Sequence, residues 1–399
     1  MNTVSLKSLV TPIEQKAGGN NFPVLSITAG IGFVSQKEKF GKNIAGAQYS
    51  KYIVIKQGDF SYNKGNSKTY PHGCIYCLEN YDSAAVPNVF YSFRFTSEYA
   101  FPQYYKYIFE SSFLNQQLRK LVNSGVRDDG LLNLYEKDFY SCHVPCPPLE
   151  EQRRIAEILW CCDRVIALKK ELIAEKKKQK KALMQKLLNP DSGFRLPGFS
   201  GEWKKTTIGE SGTFVKGKGI QNSQCTSMGF PCVKYGDIYM KYNVSFNVAQ
   251  SFTSESVFSE SLQITSGALL FTCSGEDPLE IGKCVLYSGS DCIAVGGDII
   301  VMYPNASISP DFLVHQQYSD DLIKQKSTLG KGNSIVHIHL PEIKSLKISL
   351  PPTIEEQKAI ADILSAADKE IDLLEQELVQ QEQKKKSLMQ LLLTGIVRV

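Results

Sequence analysis

Part of this chain is written twice. Shifting the sequence by 205 positions lays residues 152–188 on residues 357–393 without a gap, and 15 of the 37 positions are identical. Among the matches are Gln152/Gln357, Ile155/Ile360, Ala156/Ala361, Leu159/Leu364, Asp163/Asp368 and Met184/Met389. Each copy follows a double proline, Pro147-Pro148 and Pro351-Pro352. Proline disfavours helix before it and suits a first helical turn, so both pairs mark helix starts. In the second copy Thr353-Ile354-Glu355-Glu356 has the pattern of a capping box, and Gly395 suits a helix stop. The repeat demands a fold with two equivalent long helices.

Ile360, Leu364, Ala367, Ile371, Leu374, Leu378, Gln381, Lys385, Leu388 and Leu392 alternate spacings of four and three, the 3.5-residue period of a coiled-coil seam. The first copy carries the same seam through Ile155, Leu159, Cys162, Ile166, Lys169, Ile173, Lys176, Lys180, Leu183 and Leu187, with three lysines in it. Each helix should run about 40 residues, or about 60 Å. Residues 149–190 hold 11 basic and 6 acidic side chains, whereas residues 353–396 hold 5 basic and 9 acidic. Opposite charge beside matching seams predicts that the helices pair with each other. The alternative is two separate amphipathic helices, each packed on its own domain. The polar seam positions Lys176/Gln381 and Lys180/Lys385 are equivalent in the two copies and fit a solvated gap, a docking surface or ordinary surface placement.

Removing the helices leaves two heads of similar length, 1–148 and 191–352, both with mixed α and β patterning. In the first, Tyr52–Ile55, Gly58–Tyr62, Cys74–Cys77 and Val89–Phe93 read as strands, and a helix is expected from Pro102 to Leu121. In the second, Gly267–Phe271, Lys283–Tyr287 and Asp298–Met302 read as strands, with a helix near Pro310 to Gln325. Both heads end in a polar turn and a short strand leading into the double proline. A duplicated frame with unlike heads implies two recognition tasks of one kind on two different targets.

The residues offer little catalytic chemistry. Gly275 to Cys284 has the wrong spacing and ending for a phosphate-binding loop, and no Asn/Asp-Pro-Pro-aromatic methyltransferase tetrapeptide occurs. Pro310-Asp311 with Glu342-Ile343-Lys344 imitates a metal-dependent nuclease pattern, but its spacing is loose. Cys74, Cys77, Cys142 and Cys146 could be drawn as a zinc site, yet the first two sit in an apolar strand, and the eleven cysteines read better as reduced thiols. His337-x-His339 places two imidazoles on one face of a strand, an arrangement that is more often structural. No metal is expected, and no catalytic residue can be named. With no apolar run after Met1–Lys7 and no eighteen-residue apolar stretch, the expectation is a cytoplasmic protein without a membrane partner.

Binding remains, and the charges indicate what is bound. The first head has 15 basic and 11 acidic residues and a polar loop, residues 63–73, in which Asn63, Lys64, Asn66 and Lys68 suit phosphate and base-edge contact. Arg127 lies in its terminal polar turn. The second head has 13 basic and 15 acidic residues, so any nucleic-acid face must be a local patch. Candidates there are Lys216, Lys218, Lys234, Tyr235, Lys331 and Asn333.

The chain resembles the specificity subunit of a type I restriction-modification system along essentially its whole length. The most specific pieces are Pro-Pro-Leu-Glu-Glu-Gln-Arg-Arg-Ile-Ala at 147–156, Pro-Pro-Thr-Ile-Glu-Glu-Gln-Lys-Ala-Ile-Ala at 351–361 and the lysine-rich endings into Leu-Met-Gln at 183–185 and 388–390. Phe194–Phe199, Glu202-Trp203, Tyr235–Ile238, Leu270–Gly275 (which adds Ser274 to the candidates) and Gly296–Ile299 are similar to that family's target recognition domains, and Gly58–Lys64 resembles another branch of them.

The resemblance implies an α+β, pseudo-twofold molecule: recognition domains at 1–148 and 191–352, separated by spacer helices at 149–190 and 353–396 that pair as an antiparallel coiled coil. It implies a non-catalytic subunit whose heads each read one half of a split double-stranded DNA target. Two methyltransferase subunits would dock on the helices, and restriction/translocase subunits would join them. S-adenosylmethionine, ATP and magnesium would be held by those partners, with no cofactor on this chain. On this reading Ile155, Leu159, Ile166, Ile173, Leu183 and Leu187, with Ile360, Leu364, Ile371, Leu374, Leu378, Leu388 and Leu392, serve helix pairing or the subunit interface. The rival readings are a two-headed coiled-coil protein adaptor and a metal-dependent nuclease.

Overall fold

The computed structural model describes residues 2–42, 45–65, 70–122, 132–332 and 334–399. Two long helices, Leu149–Leu187 and Ile354–Leu393, dominate it. The second begins where the double proline predicts, and the Thr353 hydroxyl accepts the Glu356 N–H at 3.3 Å. The reciprocal arm of the capping box does not form, because the Glu356 carboxylate takes two bonds from the Arg195 guanidinium at 2.9 and 2.7 Å.

The chain divides into two compact units, and the boundary cuts both long helices. One unit is Met1–Lys170 with Glu377–Val399; the other is Glu171–Gln376. Each head therefore packs on the first half of one helix and the last half of the other. In the first unit Ile155, Ala156 and Leu159 share a core with Met389, Leu392 and Leu393. In the second unit Ile360, Ala361 and Leu364 share one with Leu187 and Leu188.

Within each unit the helices run antiparallel and are laced by ion pairs. In the first, Lys169 and Lys170 reach Glu377 and Glu382 at 2.6 and 2.8 Å. In the second, Lys176 and Lys177 reach Glu370 and Glu375 at 2.6 and 2.7 Å, and Lys180 pairs with Asp368. Every position of the two sequence seams is buried or partly buried, while Trp160, Val165, Leu168 and Leu373 lie exposed.

The first head holds a four-stranded sheet in the order Val10–Pro12, Tyr91–Phe95, Phe60–Asn63, Cys74–Cys77. Its helical segment is broken into Pro102–Glu110 and Asn115–Leu121, with Ser112 between them at a φ of 60°. The second head is built on two five-stranded sheets. The central one runs Gly212–Lys216, Ile299–Pro304, Ala268–Thr272, Cys284–Tyr287, Ser245–Phe246. Its helical segment is likewise split, into Pro310–Gln316 and Asp320–Leu329, because Ser319 caps a new helix by accepting the Leu322 N–H. Both heads close the same way: an early strand pairs antiparallel with the strand before the double proline, Thr3–Ser5 with His143–Pro145 and Lys204–Thr207 with Lys347–Leu350.

Candidate nucleic-acid interface

In the second head, the polar residues singled out by sequence gather at one end of the central sheet. Lys216 ends the strand Gly212–Lys216, and the Gly217 N–H donates to Ile299 O at 2.9 Å. A Cβ on Gly217 would stand 2.1 Å from Gly296 O, so the Lys-Gly-Lys turn needs glycine for this crossing. Cys273 follows the neighbouring strand and donates its N–H to Asp298 O at 2.9 Å. Burial pushes the Cys273 thiol up to about 11, with Asp298 adding to the rise and Lys216 opposing it.

Ser274–Gly275 then pairs with Val336–His337 as a two-residue ladder. The Ser274 hydroxyl lies 2.9 Å from His337 Nδ1, and the Tyr239 hydroxyl donates to Ser274 O at 3.0 Å. Tyr235 packs its ring on Tyr239 with centroids 6.3 Å apart. Lys331 joins the rim through its backbone, exchanging hydrogen bonds with His337 at 2.9 and 2.8 Å. Lys216, Tyr235, Ser274 and Lys331 thus belong to one continuous rim.

The cations on this rim are not equivalent. Lys331 is engaged by Glu342 at 3.2 Å, and a hydrogen bond from the Glu342 backbone N–H, followed by this contact, holds the Glu342 carboxyl below its ordinary range. Lys234 donates to Asn222 Oδ1 at 2.8 Å. Lys216 and Lys218 are exposed and make no ion pair or side-chain hydrogen bond among the described residues. Asn333 lies outside the described residues.

Sequence reasoning missed three members of the rim. Tyr239 lies outside every motif, and the His337/His339 pair reads as structural by sequence although both side chains are exposed, with rings 6.3 Å apart and nearly parallel at 6°. The i, i+2 spacing of the histidines was the available signal. Ser274 and His337 stand at nucleophile–base distance, but no carboxylate orients the imidazole among the described residues, so the pair lacks the third group that activates such a serine. Nor does any cluster of three or more His, Cys, Asp or Glu side chains suited to a metal occur among the described residues.

In the first head Asn63 and Lys64 are both tied into the fold. Asn63 Oδ1 accepts the Gly65 N–H at 3.0 Å. The Lys64 ammonium lies 3.2 Å from the Tyr91 hydroxyl and 4.8 Å from its ring centroid, and Lys64 O accepts the Leu132 N–H at 2.9 Å. Asn66, Lys68 and Arg127 fall outside the described residues.

At the junctions between heads and long helices, the repeat resolves into matched bonds. Gln152 accepts the Phe101 N–H at 2.8 Å and donates to Tyr99 O and Pro147 O. Gln357 accepts the Ser309 N–H at 2.9 Å and donates to Ser307 O and Pro351 O. Asp163 receives the Tyr107 hydroxyl at 2.8 Å and the Lys385 ammonium at 2.7 Å. Asp368 receives Lys180, and His315 takes the place that Tyr107 has in the first unit.

Comparison with known proteins accords with this duplicated plan. The type I restriction modification DNA specificity domain matches twice, at residues 14–177 and 200–383. The type I restriction enzyme MjaVIII specificity subunit of Methanocaldococcus jannaschii is 28% identical over 311 residues, 73% of this chain and 70% of that protein. The putative MjaX specificity subunit from the same organism is 29% identical over 272 residues, covering 64% of this chain and 59% of its own length. Among solved structures, the S subunit of a type I restriction-modification system from M. genitalium aligns over 98% of this chain and 96% of its own, with a TM-score of 0.61 at 15% identity. A chain from a structural study of complex assembly and conformational transition of the type I R-M system covers 98% and 97%, with a TM-score of 0.58 at 16% identity. With the specificity domain matched in both halves, the chain belongs to the family of type I restriction-modification specificity subunits.

Proposed function

We propose that this chain is the non-catalytic ruler of a type I modification and restriction complex, in which each head reads one half of a split double-stranded DNA target. The observation that carries the reading is the duplicated frame: two heads with different sheets, each fastened to a long helix by the same glutamine, Gln152 or Gln357. The paired helices set the distance between the half-sites. Two methyltransferase subunits dock on them, with Trp160, Val165 and Leu168 offering an apolar face that the helix seam leaves uncovered. S-adenosylmethionine, ATP and magnesium act on those subunits and on the restriction/translocase subunits that join them. In the second head Lys216 and Lys218 hold phosphate while the rim around Ser274 faces the bases. That head's excess of acidic residues means that its partners supply much of the remaining phosphate grip.

The test is reconstitution with the methyltransferase subunits, followed by footprinting and by sequencing of modified bases in cells with and without the chain. Two protected patches about one helical turn apart, and a split motif that vanishes with the chain, are expected. A complex that assembles but protects no DNA would leave the protein-adaptor reading in its place. The nuclease reading finds no support in the geometry, since Glu342 is occupied by Lys331.

A further inference from the structure

One exposed side chain in the second head is fixed far more firmly than stability requires. The backbone of His337 is bound on two fronts, exchanging hydrogen bonds with Lys331 at 2.9 and 2.8 Å and pairing with Ser274 in the short ladder. The adjoining Ile338 N–H donates to Cys273 O at 2.9 Å. The hairpin turns at Gly332, where φ is +132° and a Cβ would stand 2.0 Å from Ile335 O, so any side chain there would be strained. The imidazole is then anchored by Ser274 at Nδ1, 2.9 Å away, which leaves Nε2 as the nitrogen open to a ligand. Ordering an exposed side chain costs rotamer entropy, and a single exposed hydrogen bond returns little, so the arrangement is pre-organisation of the kind found at binding surfaces.

The surrounding charge decides what such a group can hold. Glu276, Asp277, Glu280 and Asp298 are exposed nearby in the chain segments that build the rim, and Lys331 is already matched by Glu342. A phosphate backbone would be held poorly there. The acceptor-rich edge of a base asks only for a well-aimed donor.

We propose that His337 donates from Nε2 to the acceptor edge of a base in the major groove, and that Ser274 is its positioning residue. The proposal rests on the DNA-reading function argued above. It assigns one position of the half-site read by the second head to this pair.

The experiment uses the full chain reconstituted with its methyltransferase subunits, and the target motif is determined by sequencing modified DNA from a random library. His337→Ala should relax one position in one half of the motif, with discrimination there falling roughly tenfold to a hundredfold, while the other half keeps its sequence. Ser274→Ala should weaken the same position to a smaller extent, a result that a merely structural serine would not give. Both side chains lie at the surface, so unfolding midpoints should stay at the wild-type value. A wild-type motif that His337→Ala leaves intact overturns the proposal alone. Uniform weakening across all sequences, with a shallower salt dependence, also overturns it, because that is the signature of a phosphate contact. A wild-type assembly without any sequence preference overturns the DNA-reading function itself.

Discussion

Asp163 and Asp368 occupy the same place in the two copies of the repeat, yet their surroundings differ by one side chain. Asp163 receives a tyrosine hydroxyl, whereas Asp368 Oδ2 faces His315 Nδ1 across 3.7 Å and neither atom has a hydrogen-bond partner. His315 is 2% exposed, and burial, with Lys180 adding to it, pushes its imidazole down to about 3. A histidine whose folded value lies below its unfolded one stabilises the fold above about pH 6.5, and that contribution is lost as the pH falls toward the folded value. From pH 7 to pH 5 the loss should be about 2 kcal/mol. Asp368, raised by burial, acts in the opposite sense on acidification, and it is present in both proteins compared. Trp203, packed against Phe312 at 6.0 Å, reports on this unit once Trp160 is replaced by Phe. Urea unfolding followed at Trp203 should show the acid loss in the parent and a much smaller one in His315→Gln; equal losses would sink the assignment. The same probe tests Gln357→Ala, which leaves the Ser309 N–H buried without its acceptor and should cost roughly 1–3 kcal/mol. These glutamines were legible in the sequence as a repeated pair, but their partners Tyr99 and Phe101, or Ser307 and Ser309, lie about fifty residues away and no spacing rule reaches them. The equivalence of Arg195 and Arg398 was hidden differently. Their positions differ by 203 rather than 205, so the gapless match ends before them although they make matching pairs with Glu356 and Glu151.

At the scale of elements, the lysines in the first seam looked like defects in a coiled coil. Their stems lie partly buried along the seam, while their ammonium groups reach acids on the facing helix, Glu377, Glu370 and Asp368. Long cationic side chains can cover apolar surface and still place their charge at the edge, which a hydrophobic/polar pattern counts as an interruption. The 3.5-residue period was therefore readable from Ile155 to Leu187 and from Ile360 to Leu392, whereas the splitting of each head helix was not. Those breaks arise from local capping at Ser319 and from the Ser112 turn, and both segments are apolar enough to read as continuous. Ile371 and Leu373 give a direct test of the helix register, since they are two residues apart and 7% and 51% exposed. Ile371→Asp should destabilise the second unit by roughly 3 kcal/mol, through loss of apolar burial and an unpaired buried carboxylate. Leu373→Asp should change it by less than about 0.5 kcal/mol. Comparable losses in the two variants would place the seam elsewhere.

At the scale of the whole molecule, only one compact unit, Glu171–Gln376, is a continuous stretch of sequence, and the first is interrupted by it. The first is completed by Glu377–Val399, and its last side chain contact of note is Arg398, whose guanidinium makes two bonds of 2.5 Å to the Glu151 carboxylate. Glu151 is 6% exposed, so removing the arginine leaves a nearly buried carboxylate without its countercharge at the first turn of a long helix. The second unit has the same clasp, built from Arg195 and Glu356, the latter 1% exposed. If each clasp serves only the unit that contains it, the two arginines should be separable by experiment. Limited proteolysis with mass-spectrometric mapping of the cuts should find Arg398→Ala cleaved faster within residues 1–170, at an unchanged rate within 171–376. Arg195→Ala should give the converse pattern. Cleavage accelerated in both units by either substitution would mean that the chain opens as a single cooperative body. In that case a change in one head would disturb both half-sites of a split target, whereas separable units would let each half-site be altered without the other.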